Sequence, residues 1–211
     1  MEASDAADQL RELGGEGQAR SQAAERFRTR SAISIAVLAM LLAISSLGGQ
    51  NATKETINSN ILASDTWAFF QAKNIRQTSF RLAADELELL LPTLPPEQQA
   101  ATKQKVDTYK GTVARYESEP DPQQPDNPLK GDGKKELTIR AKYWEEKRDH
   151  AQKQDPNFDY SVALYQIAIV LGSVSIVANS RHVMALSLAL GAVATMLMVN
   201  GFFLWLDLPF G

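Results

Sequence analysis

The chain has 211 residues, 44% hydrophobic and 22% charged, with a net charge of −3; averaged over its length, these values fit a soluble protein of one or two domains. It has no cysteine, which excludes disulfides, thiolate metal sites, a cysteine nucleophile and a lipidated N-terminal Cys. The averages hide a segregation: three long stretches carry no charge at all, and charges crowd everything else, the pattern of apolar spans alternating with watery segments.

Residues 1–29 are rich in Ala, Gly, Gln and charge, with a Gly14-Gly15 pair and only Leu10, Leu13 and Phe27 as large apolar groups, and read as a mobile tail with a weak helix. The uncharged stretches Ser31–Gly49, Tyr160–Ala178 and Val183–Leu206 contain no Asp, Glu, Lys, Arg or His. At 1.5 Å per residue, about 20 such residues cross a hydrocarbon core of about 30 Å, so transmembrane helices are assigned to 30–49, 158–178 and 183–206, with a short tail at 207–211. The polar segment before the first span is too long for the n-region of a signal peptide, so that span reads as an uncleaved anchor.

No proline interrupts Ser31 to Leu91, and the first span is expected to continue beyond the membrane as one rod, bending at Gly48 and Gly49. Pro92, Pro95 and Pro96 end the rod and open a second helix through Glu97–Glu117, where Val106, Tyr109, Val113 and Tyr116 form a narrow apolar seam. Residues 119–133 hold Pro120, Pro122, Pro125 and Pro128 and almost nothing apolar, and read as an exposed linker. A third helix is expected over Lys134–Lys153 with Leu137, Ala141, Trp144 and Ala151 on one face, after which Asp155 and Pro156 form a cap and first-turn pair that starts the second span. The fold class is therefore an all-α membrane protein: three transmembrane helices, with an extramembrane antiparallel helical bundle at 50–157 inserted between the first and second.

That insert has 17 acidic and 16 basic residues, a net of −1, and no basic patch to neutralise phosphates, so nucleic-acid binding is unsupported. Arg20, Arg26, Arg28 and Arg30 precede the first span and Arg181 lies between the second and third, which puts these ends in the cytoplasm; Lys54, Lys147, Arg148 and Lys153 are the weaker opposing set. Phe158, Tyr160 and Tyr165 begin the second span and Phe202, Phe203 and Trp205 end the third, an aromatic belt at the opposite interface. The expected location is the bacterial inner (plasma) membrane, multi-pass, with the N-terminus cytoplasmic and the helical domain periplasmic.

Chemistry is sparse. His150 and His182 are the only histidines, too few for a hydrolase triad plus metal site, and no catalytic residue, cofactor or metal is assigned. Acidic groups such as Asp85, Glu86 and Glu88, or Glu145, Glu146 and Asp149, read as solvated helix faces. Gly131-Asp132-Gly133-Lys134 lacks the spacing and the Ser or Thr of a phosphate loop and reads as a turn. The three uncharged stretches contain no Asp, Glu, His or Arg, which argues against an ion-coupled transporter.

The richest segment is ASDTWAFFQAKNIR, residues 63–76, whose Asp65, Trp67, Phe69, Phe70, Gln71, Lys73 and Arg76 form a candidate interaction surface, with packing inside the chain as the competing reading. Ala168, Gly172, Ser187, Gly191 and Thr195 are candidate helix contacts within the spans, because small residues let backbones approach. Together with DYSVALYQIAIVLGSVSIVA at the second span, the 63–76 segment resembles the bacterial membrane-protein family called domain of unknown function 4337, over roughly Ser31 to Leu206. The resemblance implies one span, a helical insert and a closing hairpin of spans. The chain departs from it in having Phe69 and Phe70 where tyrosines are expected, and in its longer proline segment. The family has no assigned activity and lends no catalytic residues. The expected function is a non-enzymatic scaffold or self-assembling protein with the lipid bilayer and a second copy or another envelope protein as partners; the alternatives are an oligomeric pore or accessory transport subunit, and an unrecognised carboxylate-dependent enzyme.

Overall fold

A computed structural model describes residues 21–206 in full and, for 2–20, the course of the backbone. It is 87% helix, with no strand among the described residues, which fixes the all-α class. The elements are α1 (Glu2–Leu90), a 3-10 turn (Leu91–Thr93), α2 (Pro96–Glu117), α3 (Lys134–Val177) and α4 (Arg181–Phe203). Three helices contain stretches long and apolar enough to cross a membrane, in α1, α3 and α4. The expected tail at 207–211 lies outside the described residues.

Two helix boundaries differ from the sequence reading. α1 starts at Glu2 and passes Gly14-Gly15 unbroken, where a tail with a weak helix was expected. A glycine in a helix interior costs only about 1 kcal/mol relative to alanine, and the neighbouring Ala, Glu, Gln and Arg are good helix formers. α3 runs on through Pro156, so Asp155-Pro156 does not start a new helix. Pro156 takes one N–H from the ladder, but Asn157 Nδ2 donates to the Lys153 carbonyl at 3.0 Å and the buried Asn157 and Phe158 anchor the following turn. Asp155 instead accepts a hydrogen bond from Thr53 Oγ1 at 2.9 Å.

The helix ends follow from local chemistry. Pro92 stops α1, and Pro96 sits in the first turn of α2, where its missing N–H costs nothing. α3 ends with Asn179 at φ 47°, a left-handed position that asparagine tolerates, and the Ser180 N–H reaches back to the Ser175 carbonyl at 3.0 Å. Ser180 then caps α4 by accepting from the Val183 N–H. Leu204, at φ 48°, ends α4, and the strain of that non-glycine left-handed residue is offset by Asn200, which accepts from the Leu206 N–H at 2.8 Å and donates to the Leu206 carbonyl at 3.0 Å.

The chain divides into two compact units: Met1–Thr53 with Gln152–Gly211, and Lys54–Ala151. In the first, a core of Leu38, Ala52, Phe158, Tyr165, Ala168, Ala194 and Met198 joins α1, α3 and α4. Its polarity is inverted relative to a water-soluble core. Ser31, Ser45, Ser161, Ser175, Ser187, Asn157 and Asn200 are buried, while Ile33, Val37, Met40, Leu47, Val170, Val174, Val193 and Met196 are exposed. In the second unit, Ala63, Ala84, Val106, Leu137 and Ala141 are buried and Phe80 packs edge-on against Tyr109 and Tyr116, as the seam on α2 and the apolar face of α3 led one to expect.

Burial recurs every seven residues. On α1 it falls on Ser31, Leu38, Ser45 and Ala52 in the first unit and on Ser59, Thr66 and Lys73 in the second; on α4 it falls on Met184, Gly191 and Met198 and on Ser187, Ala194 and Gly201. A seven-residue period is the mark of helices that keep one seam facing their neighbours over many turns.

Candidate functional site

In the unit Lys54–Ala151 the 63–76 segment lies on α1, and its seven candidate residues part company. Lys73 is only 6% exposed. A buried ammonium must be paired, and Lys73 Nζ donates to Glu119 Oε2 at 2.6 Å and to the Asp132 carbonyl at 2.5 Å, with the rings of Phe69 and Tyr116 at 5.6 and 5.3 Å. Trp67 Nε1 donates to Glu145 Oε1 at 2.9 Å and packs edge-on against Phe70, over which Lys134 sits. Phe69, 40% exposed, and Asp65 instead line an open cleft of about 610 Å³ with Thr66, Asn127, Arg140 and Trp144. Gln71 and Arg76 are exposed.

The lysine pulls in the proline-rich segment. Glu119 and Asp132 stand at its two ends, and the Asp132 N–H donates to the Glu119 carbonyl at 2.9 Å, so the segment expected to be a free linker is a loop with a closed neck. Gly131 and Gly133 permit this: a Cβ on Gly131 would sit 2.8 Å from the Glu119 carbonyl oxygen, and one on Gly133 would collide with the Ser118-Glu119 backbone. Beneath the neck, Glu136 accepts from Ser118 Oγ at 2.7 Å and from the Glu119 N–H at 3.2 Å. Burial pushes the Glu136 carboxyl up, but these hydrogen bonds outweigh it and hold the group below its ordinary value. Gln77, 2% exposed, donates to the Val113 carbonyl and to Glu117, both at 2.9 Å, and accepts from Lys134. The hydrogen bond from Gln77, with Lys134 and Arg81 nearby, lowers the Glu117 carboxyl. Sequence reasoning missed Gln77, Glu119, Asp132 and Glu136; the available signal was the glycine pair at 131 and 133.

In the other unit the five small-residue candidates all meet partners within the chain. The Ala168 carbonyl accepts from Ser187 Oγ at 2.6 Å, Gly172 faces Ile35 and Ser187, Gly191 faces Leu38, and the Thr195 hydroxyl pairs with Tyr165 at 2.9 Å. Ser45 and Ser161 share a hydrogen bond, and Asn200 donates to Asn157 at 2.8 Å. The residue that organises this packing, Phe158, was read only as part of an aromatic belt. Its ring lies in a slot where a Cβ on Gly48 would stand 2.5 Å and one on Gly201 3.0 Å from ring carbons. Gly48 and Gly49 thus make room for an aromatic ring within a helix that runs on through them.

Three of the acidic groups singled out from the sequence have partners of their own. Glu88 pairs with Lys110 at 2.7 Å, Glu145 with Trp67 and Asp149 with Arg148, and His150 and His182 belong to different units. Among the described residues no three His, Asp or Glu side chains are grouped to hold a metal ion. What Lys54–Ala151 offers is a helical unit with a fastened loop, and what the other unit offers is three helices with an apolar exterior.

No curated protein and no solved structure matches the chain. A family model matches residues 27–204, from the last turn before the first apolar stretch to the end of α4, and so includes both motifs that carried the resemblance. The chain belongs to the family described as "Domain of unknown function (DUF4337)".

Proposed function

We propose that the protein is a non-enzymatic scaffold of the bacterial inner membrane, which holds α1, α3 and α4 in lipid and presents Lys54–Ala151 as an antiparallel helical bundle in the periplasm for pairing with a second copy of itself. The inverted polarity of the first unit supports the lipid part of this reading, since hydrocarbon solvates Val and Met while the serines and asparagines must bond to one another inside. The arginines at one end of the apolar stretches, and the exposed Tyr160, Phe202, Phe203 and Trp205 at the other, support a cytoplasmic N-terminus.

The observation that carries the scaffold reading is a stripe on the outward face of α1. Ile61, Ala68, Ile75, Leu82 and Leu89 recur every seven residues and are all exposed, Ile75 to 67% and Leu89 to 80%. The small Ala72 and Ser79 stand beside it, leaving room for a close approach. Water penalises such a row at about 25 cal/mol per Å² of apolar surface. A second α1 carries the same seven-residue spacing and matches the stripe position for position.

The absence of cysteine makes the test direct: single Ile75→Cys and Leu82→Cys variants are oxidised in native membranes and compared with Asn74→Cys, which is exposed off the stripe. Disulfide-linked dimers are expected at 75 and 82. Crosslinking no greater than at 74 would sink the self-pairing. A phosphatase fusion after Asn127 tests the side: an inactive fusion, with a cytosolic reporter glowing at the same point, reverses the orientation.

A further inference from the structure

Arg26 and Arg30 stand four residues apart on one face of α1, and Arg181 is the first residue of α4. With Gln22, Ala23 and Phe27 they line a single hollow of about 610 Å³ within the first unit. Among the described residues no carboxylate forms an ion pair with any of the three guanidinium groups. Glu25 lines a second hollow that shares Gln22, Arg26 and Arg30 with the first, while Arg28 and His182 lie outside the lining of the first. Three exposed guanidinium groups from two elements line one hollow, and the guanidinium fork matches the oxygens of a phosphate. The hollow also sits at a defined level, since the uncharged stretches of α1 and α4 begin at Ser31 and Val183, immediately past Arg30 and His182. Phe27 gives the wall an apolar element.

We propose that this hollow binds the phosphodiester of an anionic phospholipid, with Arg26, Arg30 and Arg181 holding its oxygens. The proposal rests on the reading that the apolar faces of α1, α3 and α4 lie in lipid, which places the hollow among the headgroups. A free phosphate ion shares the chemistry, and the test separates the two sources.

The full chain, purified in an uncharged detergent, is exposed to phosphatidylglycerol, phosphatidylcholine or inorganic phosphate, and retained adducts are counted by native mass spectrometry. Phosphatidylglycerol is expected to be retained in preference to phosphatidylcholine. An Arg30→Gln/Arg181→Gln variant should lower that retention on the order of tenfold, Arg30→Lys/Arg181→Lys should recover part of it, and Arg28→Gln should leave it unchanged. Helicity by circular dichroism checks that each variant is folded. Equal retention of the two lipids, the same retention in wild type and the Gln pair, or occupancy by inorganic phosphate without any lipid preference overturns the proposal. Carbonate extraction of cell membranes distinguishes the failures: a chain released into the soluble fraction overturns the lipid reading itself, whereas a membrane-resident chain without the lipid preference overturns only the headgroup site.

Discussion

Replacing Lys73 with methionine keeps most of the side-chain volume and deletes the bonds that close the neck of the 119–133 loop. A fully buried ion pair that loses one partner costs about 3–5 kcal/mol, but Glu119 keeps 36% of its side-chain surface exposed and its freed carboxylate can hydrate, so that range is an upper bound. Both bonds come from the one ammonium and are charge-assisted, a class in which a bond contributes about 1.5–3 kcal/mol, and because they share that donor they set the lower part of the scale together. The expected loss is about 2–3 kcal/mol, local to the loop, which is a roughly 30- to 150-fold rise in its opening equilibrium. Hydrogen–deuterium exchange of the detergent-solubilised chain reads this directly, because the Asp132 amide donates to Glu119 and the Glu119 amide to Glu136. Exchange over 118–133 should accelerate by that factor, while the amides of Met184–Gly201 keep their wild-type rates. Glu119→Gln in the same chain should add less than its single effect. Unchanged exchange over 118–133, or full additivity of the two substitutions, would refute the clamp.

Three further outcomes are expected. Glu117 and Glu136 are both held below their ordinary values in the folded chain, so their contribution to stability is complete above the unfolded carboxyl value of about 4.3 and is lost as pH falls through the folded values. Protection over 118–133, taken relative to the intrinsic exchange rate at each pH, should therefore fall in acid and fall less in a Glu117→Gln/Glu136→Gln variant; identical protection profiles would remove these carboxyls from the account. Gly48→Ala pushes a methyl into the Phe158 ring and should cost about 1–3 kcal/mol in thermal unfolding in detergent, with Phe158→Leu in the same chain restoring part of the loss. A Gly48→Ala protein as stable as wild type would mean that the slot is not tight. Disulfide capture at Ile75 and Leu82 but not at Asn74 is the outcome expected of the stripe on α1, read on an oxidised gel.

The three long apolar helical stretches and the apolar faces of α2 and α3 were legible because each is a local pattern: an uncharged run, or apolar side chains at helical spacing. The neck around Lys73 was not. Lys73, Gln77 and Glu136 are ordinary polar residues whose burial depends on partners such as Glu119 and Asp132 being brought to them across up to 59 positions, and no local period encodes that. Lys73 fell inside the candidate surface for its neighbours' aromaticity, and the structure turns it inward. Pro156 misled for the opposite reason: a strong local signal for a helix start was overridden by the packing of Phe158. The small-residue pairs in the apolar stretches of α3 and α4 pointed to contact faces, but whether they meet within one chain depends on how the helices are arranged, and Ser187 and Ala168 meet inside it.

The seven-residue recurrence gives α1 and α4 something like a reading frame. Inserting one residue turns everything beyond it by about 100°, carrying buried serines outward and exposed isoleucines inward, whereas seven residues return the seam to within about 20°. A length change that keeps the seam in place within these helices is therefore a step such as seven or eleven residues, while the loop above the Glu119–Asp132 neck can gain or lose residues one at a time.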